Sequence, residues 1–431
     1  MPTNSPSRRD FILSSAAGAA AIATGLSPIA AGAFVQGSDE IRVGLIGCGG
    51  RGTGAAKDAV EAAPGVRIVS LGDLFGDKLN ESWAILEKLG SDKFSVGLKD
   101  AFVGFDAYKK VIHHPQVNYV ILTTPPGFRP QHFREAIEAN QHVFFEKPVA
   151  VDPWGVRHII ETGRLADEKK RCVVTGTIYR RADNFNEAID FIRSGKIGKP
   201  TGGFAYYMAG PQWVKLAEDG ASAMEKQVRN WPSYPWLSGD HIVEQSVHNI
   251  DILHWLFGPP TSAFATGGKM ALTDTELYGP SYDQFSVEYV FEGDVRVQFT
   301  SRKVEGADNR VANRYVCEGG VVDANPGELE IRDHGGKVLH KMTAKDAFPY
   351  VGEHRDLITA IREGRHINES QQIAESTLMA IMGRESAYSG KKVEWKWAME
   401  ESQQKLGPED PSFETAPPEM AVAVPGAYKL V

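Results

Sequence analysis

The segment from Ile41 to Ala56, IRVGLIGCGGRGTGAA, constrains the fold of this chain more than any other. An apolar strand over residues 41–46 runs into a glycine-rich turn, and small residues suited to a helix start follow it. Gly47, Gly49 and Gly52 occupy the positions of G-x-G-x-x-G, so the turn is tight and its backbone can approach a bound pyrophosphate. This pattern predicts a parallel α/β sheet with a dinucleotide site at the end of its first strand.

Two more predicted strands end in residues that suit the same site. The strand VRIVSLGD ends in Asp73, 24 residues after Gly49, where an acid is expected to meet the adenosine ribose. The strand YVILTTPP ends in residues 123–126. Because the carboxyl ends of parallel strands share one edge, both ends are expected to lie beside the glycine turn. The expected cofactor contacts here are Gly47, Gly49, Gly50, Arg51, Gly52, Asp73, Thr124, Pro125 and His132.

Asp73 also bears on which dinucleotide fits. A ribose 2′-phosphate about 4 Å from a carboxylate meets a repulsion of about 4 kcal/mol at an effective dielectric of roughly 20. Leu74 and Phe75 follow Asp73, so no adjacent Arg or Lys offsets that repulsion. NAD is therefore expected, with NADP less favoured. The alternative is that Asp73 is only a turn residue.

Composition excludes several classes of function. The formal charge of −8 argues against nucleic acid or an anionic membrane surface as the main partner. Three scattered cysteines, Cys48, Cys172 and Cys317, give neither a disulfide framework nor paired metal-ligand spacing. With 42% hydrophobic and 24% charged residues, the chain is long enough for two globular domains.

The first 33 residues have the pattern of an export signal. Arg8 and Arg9 precede a weakly apolar Ala/Gly/Ser-rich stretch, and an A-x-A site ends at Ala33. These features favour a cleaved twin-arginine signal and a periplasmic mature protein over an uncleaved membrane helix, which is the alternative. No later stretch is long and apolar enough to predict stable membrane insertion.

The segment HVFFEKPVAV is unusual because Glu146, Lys147 and Pro148 interrupt an apolar run. A buried strand that ends in polar residues presents them at the edge where parallel sheets bind ligands. Glu146 and Lys147 are therefore expected beside the cofactor, and Pro148 fixes the departing chain, with a cis peptide bond as one option. The alternative is a surface turn in which the acid and the base pair with each other.

The segment GDHIVEQSVHNIDILHWLFG, residues 239–258, is predicted to form one helix. Its buried stripe is Val243, Val247 and Ile250, and an adjacent face carries Glu244, His248 and Asp251. An imidazole of near-neutral pKa suits removal of a hydroxyl proton, and a lysine ammonium suits stabilisation of the resulting oxyanion. A solvated face is one alternative, and a metal site formed by His241, Glu244 and His248 is another.

These motifs together carry a resemblance to a known family. The stretches GLIGCGGRG, TTPPGFRPQH, EKP, GTIYRRADNFNEAIDFIRSGKIGKP and VEQSVHNIDILHWLFG resemble the glucose–fructose oxidoreductase / inositol dehydrogenase / MocA family. The resemblance covers about residues 41–392. It implies an N-terminal Rossmann domain, a following α+β domain with a large, mostly antiparallel sheet, and homodimers or homotetramers built on that sheet.

The resemblance also implies roles for individual residues. Lys147 is expected near the nicotinamide and the substrate hydroxyl, and His248 in the proton-transfer position. Glu244 falls where many relatives carry an aspartate. Its extra methylene moves the carboxylate by more than ~1 Å, so it either lies on a helix set further back or orients His248 or substrate. Expected substrate contacts are Tyr179, Arg180, Arg181, Trp236 and Asp251, although the arginines also suit a solvated basic pair.

Later segments complete the predicted organisation. Aromatic residues suited to the faces of a sugar ring, or to core packing, occupy a loop-rich stretch: Trp213, Trp231, Tyr234 and Trp236. Residues 282–303 are predicted to form a hairpin, and residues 351–389 are predicted to be helical with a stop at Gly364. The predicted boundaries are a signal at 1–33, a Rossmann domain at 38–155, a substrate and oligomerisation domain at 156–400 and an arm at 401–431.

The sequence therefore predicts an exported, NAD(P)-dependent oxidoreductase acting on a hydroxyl of a sugar or sugar derivative, with no metal. Free NAD is a cytosolic metabolite, so an exported enzyme is expected to hold its cofactor tightly and restore it within each cycle. One alternative is a redox-neutral keto-sugar lyase or glycosidase that uses bound NAD. The other is a non-catalytic, dinucleotide-dependent sensor.

Overall fold

The computed structural model describes residues 40–431, so the predicted signal at residues 1–33 lies outside the described residues. Its first sheet has six parallel strands in the order β3-β2-β1-β4-β5-β6. The strands are β1 Ile41–Ile46, β2 Val66–Asp73, β3 Ala101–Val103, β4 Tyr119–Leu122, β5 His142–Phe145 and β6 Val173–Thr175. The helices are α1 Gly50–Ala62, α2 Gly76–Leu86, α3 Ala107–Ile112, α4 Arg129–Glu138 and α5 Pro153–Glu168. This order is that of a Rossmann sheet, as predicted, with its switch point between β1 and β4.

The second sheet has nine strands in the order β14-β13-β12-β11-β7-β10-β9-β8-β15. Its neighbours are antiparallel except β7 and β10, which run parallel. The strands are β7 Pro200–Ala209, β8 Ser262–Gly268, β9 Gln284–Val290, β10 Arg296–Lys303, β11 Arg310–Cys317, β12 Gly320–Asn325, β13 Glu328–Asp333, β14 Val338–Thr343 and β15 Val393–Glu394. The predicted hairpin at 282–303 is confirmed as β9 and β10.

Within residues 40–431, eight further α-helices follow β6 in the chain: α6 Asp183–Arg193, α7 Ala223–Arg229, α8 Pro235–Ser238, α9 His241–Glu244, α10 Val247–Phe257, α11 Thr275–Tyr278, α12 Tyr350–Arg362 and α13 Ser370–Ser389. Helix α12 ends just before Gly364, whose φ of 65° is easy only for glycine. The prediction of one helix over 239–258 is wrong, because the chain breaks between α9 and α10. The stripe of Val243, Val247 and Ile250 is buried on both pieces.

Helix α13 joins the two sheets and is buried along most of its length. Its Arg384 is fully buried and pairs with Glu385, Nη2 to Oε1, at 2.8 Å. The same guanidinium donates to the carbonyl of Val151, which follows the EKP turn, and to the carbonyl of Gly239, which precedes α9. One side chain therefore ties together the two segments that carry the predicted catalytic residues.

No helix within residues 40–431 combines the length and hydropathy that a bilayer crossing requires.

Candidate functional site

A cleft of about 640 Å³ opens at the carboxyl ends of β1, β2 and β4. Each predicted cofactor residue of this region lines it: Gly47, Gly49, Gly50, Arg51, Gly52, Asp73, Thr124, Pro125 and His132. The predicted sheet edge is therefore a real concavity, built by three strand ends and the start of α1.

The glycine loop leaves room for a pyrophosphate. A Cβ at Gly49 or Gly50 would meet no atom within 4 Å, so open space borders the first turn of α1. A Cβ at Gly52 would lie 1.8 Å from the Gly47 carbonyl oxygen, so that glycine serves packing of the helix against the strand. The free N–H groups of a helix start and its dipole suit an anion in this space. The loop therefore fits a dinucleotide.

Asp73 serves the loop as well as the cleft. Its carboxylate accepts hydrogen bonds from the backbone N–H of Cys48 at 2.6 Å and of Phe75 at 2.8 Å. Burial raises its pKa, while those two hydrogen bonds lower it. The turn role and the cofactor role are thus compatible, because each carboxylate oxygen keeps a second lone pair for a ribose hydroxyl.

Three cations line the same wall of the cleft, and the local sequence after Asp73 did not reveal them. They are Lys78, Lys215 and Arg229. Arg229 lies over the Phe75 ring at 3.9 Å and makes ion pairs with Asp77 and Glu225. The carboxylate of Asp73 therefore does not act alone in setting which dinucleotide fits.

The other end of the cleft is aromatic and neutral. His132 is buried, stacks on Tyr108 at 4.0 Å between ring centroids, and lies 3.2 Å from the Thr124 hydroxyl through Nδ1. Burial, and then the charge of Arg129, lower the pKa of His132 to about 3. The imidazole is therefore neutral at pH 7 and lines the cleft as a flat, uncharged wall.

Arg51 and Glu146 bind each other rather than presenting free charges to the cofactor. Arg51 Nε lies 2.7 Å from Glu146 Oε1, and its Nη2 lies 3.0 Å from Asp58. Glu146 is buried and is not among the residues that line the cleft, so its cofactor contact stays a prediction. The pair instead connects the glycine loop to the EKP turn across the sheet edge.

Lys147 and His248 line one small pocket, together with Thr177, Tyr179, Asp251 and two apolar residues. Lys147 precedes a cis peptide bond to Pro148 at the end of β5. His248 lies in the first turn of α10. Residues that are about 100 positions apart in the sequence are thus brought to one volume beside the dinucleotide-binding edge.

Glu244 holds Lys147. The ammonium Nζ donates to the Glu244 backbone carbonyl at 2.5 Å and lies 3.3 Å from its Oε1. Oε2 has no hydrogen-bond partner within residues 40–431. Burial raises the pKa of Glu244, and the charges of Lys147 and Arg129 lower it. Of the roles expected for Glu244, orientation of His248 is not seen, and the carboxylate instead positions the lysine.

His248 is uncharged at neutral pH. Burial is the largest cause of its lowered pKa, followed by the charges of Lys147 and Arg51. Its ring lies 5.3 Å from the Tyr179 ring, and Tyr179 stacks in turn on Phe185 at 4.8 Å. A neutral imidazole that faces a pocket is able to accept a proton.

Several predicted substrate contacts are used within the protein. Arg180 binds Asp251 through two hydrogen bonds of 2.7 and 2.8 Å, and Arg181 pairs with Glu369 and Asp356. Trp236 is 1% exposed and donates its indole N–H to Gln227. Trp236 is therefore a core residue, and neither arginine is free. Asp251 still lines the small pocket, but as the partner of Arg180.

The metal alternative lacks one of its ligands. Both ring nitrogens of His241 are engaged, with the Tyr282 carbonyl at 3.1 Å and the Ser301 hydroxyl at 3.0 Å. Across residues 40–431, no group of three or more His, Cys, Asp or Glu side chains is placed to hold a metal ion.

Sequence reasoning missed two contributors to this region. Asp410 and Pro411 line the large cleft, although the segment 401–431 was predicted to be only a surface arm. Tyr207 and Lys303 come from the second sheet, near Glu244 and Lys147. The alternation of RVQFTSRK offered a signal for Lys303, since it shares the inward parity of Val297 and Phe299.

Comparison with known proteins supports the same assignment of the fold. A family model described as "Oxidoreductase family, NAD-binding Rossmann fold" matches residues 41–177, and the "GFO/IDH/MocA C-terminal domain" matches residues 185–322. Glycosyl hydrolase family 109 protein 2 of Shewanella sp. (strain ANA-3) is 28% identical over 221 residues, which are 48% of this chain and 47% of that protein.

Two further relatives are dehydrogenases by name. The scyllo-inositol 2-dehydrogenase (NAD(+)) of Bacillus subtilis (strain 168) is 26% identical over 273 residues, 61% of this chain and 68% of that protein. The structure of scyllo-inositol dehydrogenase from Lactobacillus casei with bound NAD(H) and scyllo-inositol matches with a TM-score of 0.62 and 17% identity, over 82% of this chain and 99% of that one.

The chain spans about half the length of curated relatives such as the Shewanella protein. The two family models nevertheless match consecutive stretches that supply β1–β6 and then β7–β11, in the order that the resemblance implied. The chain belongs to the Gfo/Idh/MocA oxidoreductase family.

Proposed function

We propose that this protein is an exported, NAD(P)-dependent oxidoreductase that acts on a hydroxyl of a sugar or sugar derivative. The observation that carries the proposal is the shared pocket of Lys147 and His248 beside the dinucleotide-binding edge of the first sheet. A nicotinamide bound in the cleft would accept and donate hydride. Side chains of this chain provide proton transfer and stabilisation of the substrate oxygen.

Those side chains divide the work. The neutral imidazole of His248 accepts the hydroxyl proton of the substrate, and the Lys147 ammonium stabilises the oxygen as it becomes negative. Glu244 holds that ammonium in place through its carbonyl and carboxylate oxygens. The Arg180–Asp251 pair fixes the wall of the pocket behind His248. Lys147 is present where a sensor without catalytic activity would not need it, which favours an enzyme.

The test is a screen of the purified full-length protein. Reducing and non-reducing sugars, polyols and sugar acids are added, and absorbance of the reduced cofactor is followed. We expect at least one substrate to change that absorbance in the wild type, and Lys147→Ala to abolish the change. Turnover that survives Lys147→Ala would remove the assignment of Lys147.

We further propose that the cofactor is held tightly and recycled within the catalytic cycle. The arm at residues 401–431 supports this. Both of its ends are anchored to the body of the protein, since Gln404 Nε2 donates to Glu385 at 3.0 Å and the Tyr282 hydroxyl donates to the Ala423 carbonyl at 2.7 Å. The tip between them reaches the adenosine side of the cleft, where Phe413 packs 5.0 Å from Phe105.

Phe413→Ala tests the role of the arm. Protein purified without added dinucleotide is expected to carry bound nicotinamide, detected by mass spectrometry, which also identifies NAD or NADP. We expect Phe413→Ala to release the dinucleotide about fivefold to thirtyfold faster, because an aromatic contact worth about 1–2 kcal/mol is removed. Phe348→Ala, at an exposed phenylalanine away from the cleft, is the matched control. A wild-type protein that purifies empty and exchanges freely would contradict tight retention.

A second candidate function is redox-neutral cleavage of a glycoside with bound NAD, favoured by the glycosyl hydrolase family 109 relative. A hydrolase with two opposed carboxylates does not fit, because Asp251 is bound to Arg180 and Glu244 to Lys147. Release of nitrophenol from aryl glycosides, without net change in reduced cofactor, would identify this route. Net cofactor reduction by a free sugar would favour the first function.

Export and assembly are parts of the same proposal. Replacing Arg8 and Arg9 by lysine is expected to keep the protein out of the periplasm in a fractionation experiment.

A homodimer or homotetramer is expected from the second sheet, whose outer face carries exposed Phe204 and Phe264. Analytical ultracentrifugation of the mature protein reports that state directly.

A further inference from the structure

Among residues 40–431, Lys303 is a buried cation without a charged partner. It is the last residue of β10, and its side chain is on the inward face of the second sheet with Val297, Phe299 and Ser301. It is 3% exposed. Its Nζ makes no hydrogen bond or ion pair with any side chain or backbone group of residues 40–431, and it lies 5.1 Å from the centroid of the Tyr207 ring.

The strand register places Lys303 near the short helix that ends in Glu244, and it is close enough to Lys147 for the charge of that ammonium to lower its pKa. Ser301, two positions earlier on the same face, binds His241, the first residue of the short helix that ends in Glu244. One step of two residues along β10 is about 7 Å, so Lys303 lies just beyond that helix start. On the neighbouring strand β7, Tyr207 pairs in register with Ser301. The negative charge of Glu244 contributes to the raised pKa of Tyr207, after burial.

Nearby acids are committed elsewhere. Asp283 Oδ2 accepts hydrogen bonds from the backbone N–H groups of residues 270–272. Asp240 accepts from the backbone N–H groups of His241 and Tyr282 and from the Tyr388 hydroxyl. Glu244 is paired with Lys147. The described part of the chain therefore supplies no counter-charge for Lys303, since Glu244 already has Lys147 as its partner.

A buried, unpaired ammonium is unfavourable, and the face of one aromatic ring offsets only part of that penalty. Burial is the main cause of the lowered pKa of Lys303, about 8, and the charge of Lys147 adds to it. At pH 7 the side chain is still mostly protonated. The Lys303 ammonium therefore suits an anionic group of a bound ligand as its partner.

We propose that Lys303 binds an anionic group of the substrate, so that the pocket takes an acidic sugar: a sugar carboxylate or a sugar phosphate. This inference rests on the proposed function, since it assumes that a sugar enters the pocket of Lys147 and His248. It adds a specificity-determining residue from the second sheet to the residues that carry out the reaction. Tyr207 and Tyr179 then bind neutral hydroxyls of the sugar.

The experiment measures binding rather than turnover, so that its failure and that of the proposed reaction remain distinguishable. Isothermal titration calorimetry of the cofactor-loaded, full-length protein compares D-glucuronate with D-glucuronamide, its neutral analogue, and with D-glucose 6-phosphate. We expect an anionic probe to bind about tenfold to a hundredfold more tightly than the neutral one. A hydrogen bond between the Lys303 ammonium and an anionic oxygen contributes a free energy of that size. The better of the two anions identifies carboxylate or phosphate as the group.

Variants assign the preference to one side chain. Lys303→Met is expected to reduce the charged-over-neutral preference to less than about threefold, whereas Lys303→Arg is expected to retain a preference. Lys391→Met, at an exposed lysine, is the matched control. Retained cofactor and an unchanged melting temperature show that each variant is folded, and the wild-type comparison of charged and neutral probes needs no variant at all.

Three results would overturn the proposal: neither anion binds, the neutral analogue binds as tightly as the anions, or the preference survives Lys303→Met. Absence of any cofactor reduction with a persisting Lys303-dependent preference would instead count against the proposed oxidoreductase reaction alone.

Discussion

At the scale of single residues, the site depends on which groups are charged. His248 is neutral because desolvation and two nearby cations lower its pKa, and the Lys147 side chain lies 3.3 Å from the Glu244 carboxylate. The pocket therefore holds a neutral base, His248, and a lysine side chain, Lys147. Oxidation of an alcohol at neutral pH requires a base that accepts the hydroxyl proton and a cation that stabilises the oxygen as it becomes negative.

His248→Asn is expected to lower kcat by about a hundredfold to ten-thousandfold, the usual contribution of a general base, while leaving the dinucleotide bound. The measurement is the rate of cofactor reduction with the substrate found in the screen. His254→Asn, at the histidine 3.0 Å from Glu375 and further along α10, serves as the matched control. A His248→Asn rate within threefold of wild type would assign the proton transfer to another group.

Glu353 carries a second prediction at this scale. It is fully buried, and neither carboxyl oxygen has a hydrogen-bond partner within residues 40–431. Burial, and then the charge of Glu146, raise its pKa well above the usual value. For an acid whose pKa is raised by folding, stability is lost as the pH rises above the unfolded value, near 4.3. Folding above that pH therefore includes an unfavourable uptake of protons by Glu353.

Glu353→Gln removes that proton uptake with little change in shape. We expect the variant to increase the free energy of unfolding by at least about 1.4 kcal/mol at pH 7, the equivalent of one pKa unit, and by less at pH 5. Urea unfolding at both pH values measures it. A loss of stability that is equal at the two values would mean that Glu353 is ionised and paired in the native protein.

At the scale of elements, Arg384 on α13 connects the EKP turn, the start of α9 and the C-terminal arm. Its partners are the carbonyls of Val151 and Gly239, the carboxylate of Glu385 and the side chain of Gln404. A buried ion pair of this kind gives little net stability, but removal of one partner leaves an uncompensated charge. Its function is to set the relative positions of the three segments.

Arg384→Leu is therefore expected to lower the free energy of unfolding by about 3–5 kcal/mol, and Arg384→Leu/Glu385→Leu to recover most of that loss. The double variant still lacks the bonds to Val151 and Gly239, so its kcat should remain below wild type although its fold is restored. Urea unfolding and steady-state kinetics separate the two effects. A double variant no more stable than the single one would show that the hydrogen bonds to the two carbonyls, rather than the charge pair, provide the stability.

The same scale shows why some features were predictable from the sequence. The strand, turn and helix start at residues 41–56 depend on local residues alone, and so does the polar end of β5. The start of α9 is set by Asp240, whose φ is 73° and whose carboxylate accepts hydrogen bonds from the backbone of Tyr282 and the hydroxyl of Tyr388. The break between α9 and α10 lies at Gln245 and Ser246, where no glycine or proline marks it. The Arg180–Asp251 pair and the approach of Phe413 to the cleft likewise join residues far apart in the sequence.

At the scale of the whole molecule, histidines from both halves of the chain are held in the neutral form. Burial lowers the pKa of His132 and His142 to about 3, and lowers those of His248 and His354 well below the usual value. In the unfolded chain each of these groups binds a proton near pH 6.5. Between that pH and the native pKa the unfolded state holds more protons, so stability falls as the pH falls.

We expect the free energy of unfolding to decrease below pH 6.5 with a contribution of about 1.4 kcal/mol per pH unit from each such histidine, hence about 2 kcal/mol each by pH 5. Urea unfolding at pH 7, 6 and 5 measures the slope. His354→Gln, which keeps an acceptor for the Tyr119 hydroxyl now 2.6 Å from Nδ1, should reduce that slope by one histidine's share. The raised pKa of Glu353 lowers stability as the pH rises, whereas the lowered pKa of His354 lowers stability as the pH falls. Glu353→Gln and His354→Gln should therefore change the pH dependence of stability in opposite directions. A stability that is constant from pH 7 to pH 5 would mean that these imidazoles take up protons in the native state, and His248 would then lose the neutral form on which its role as a base depends.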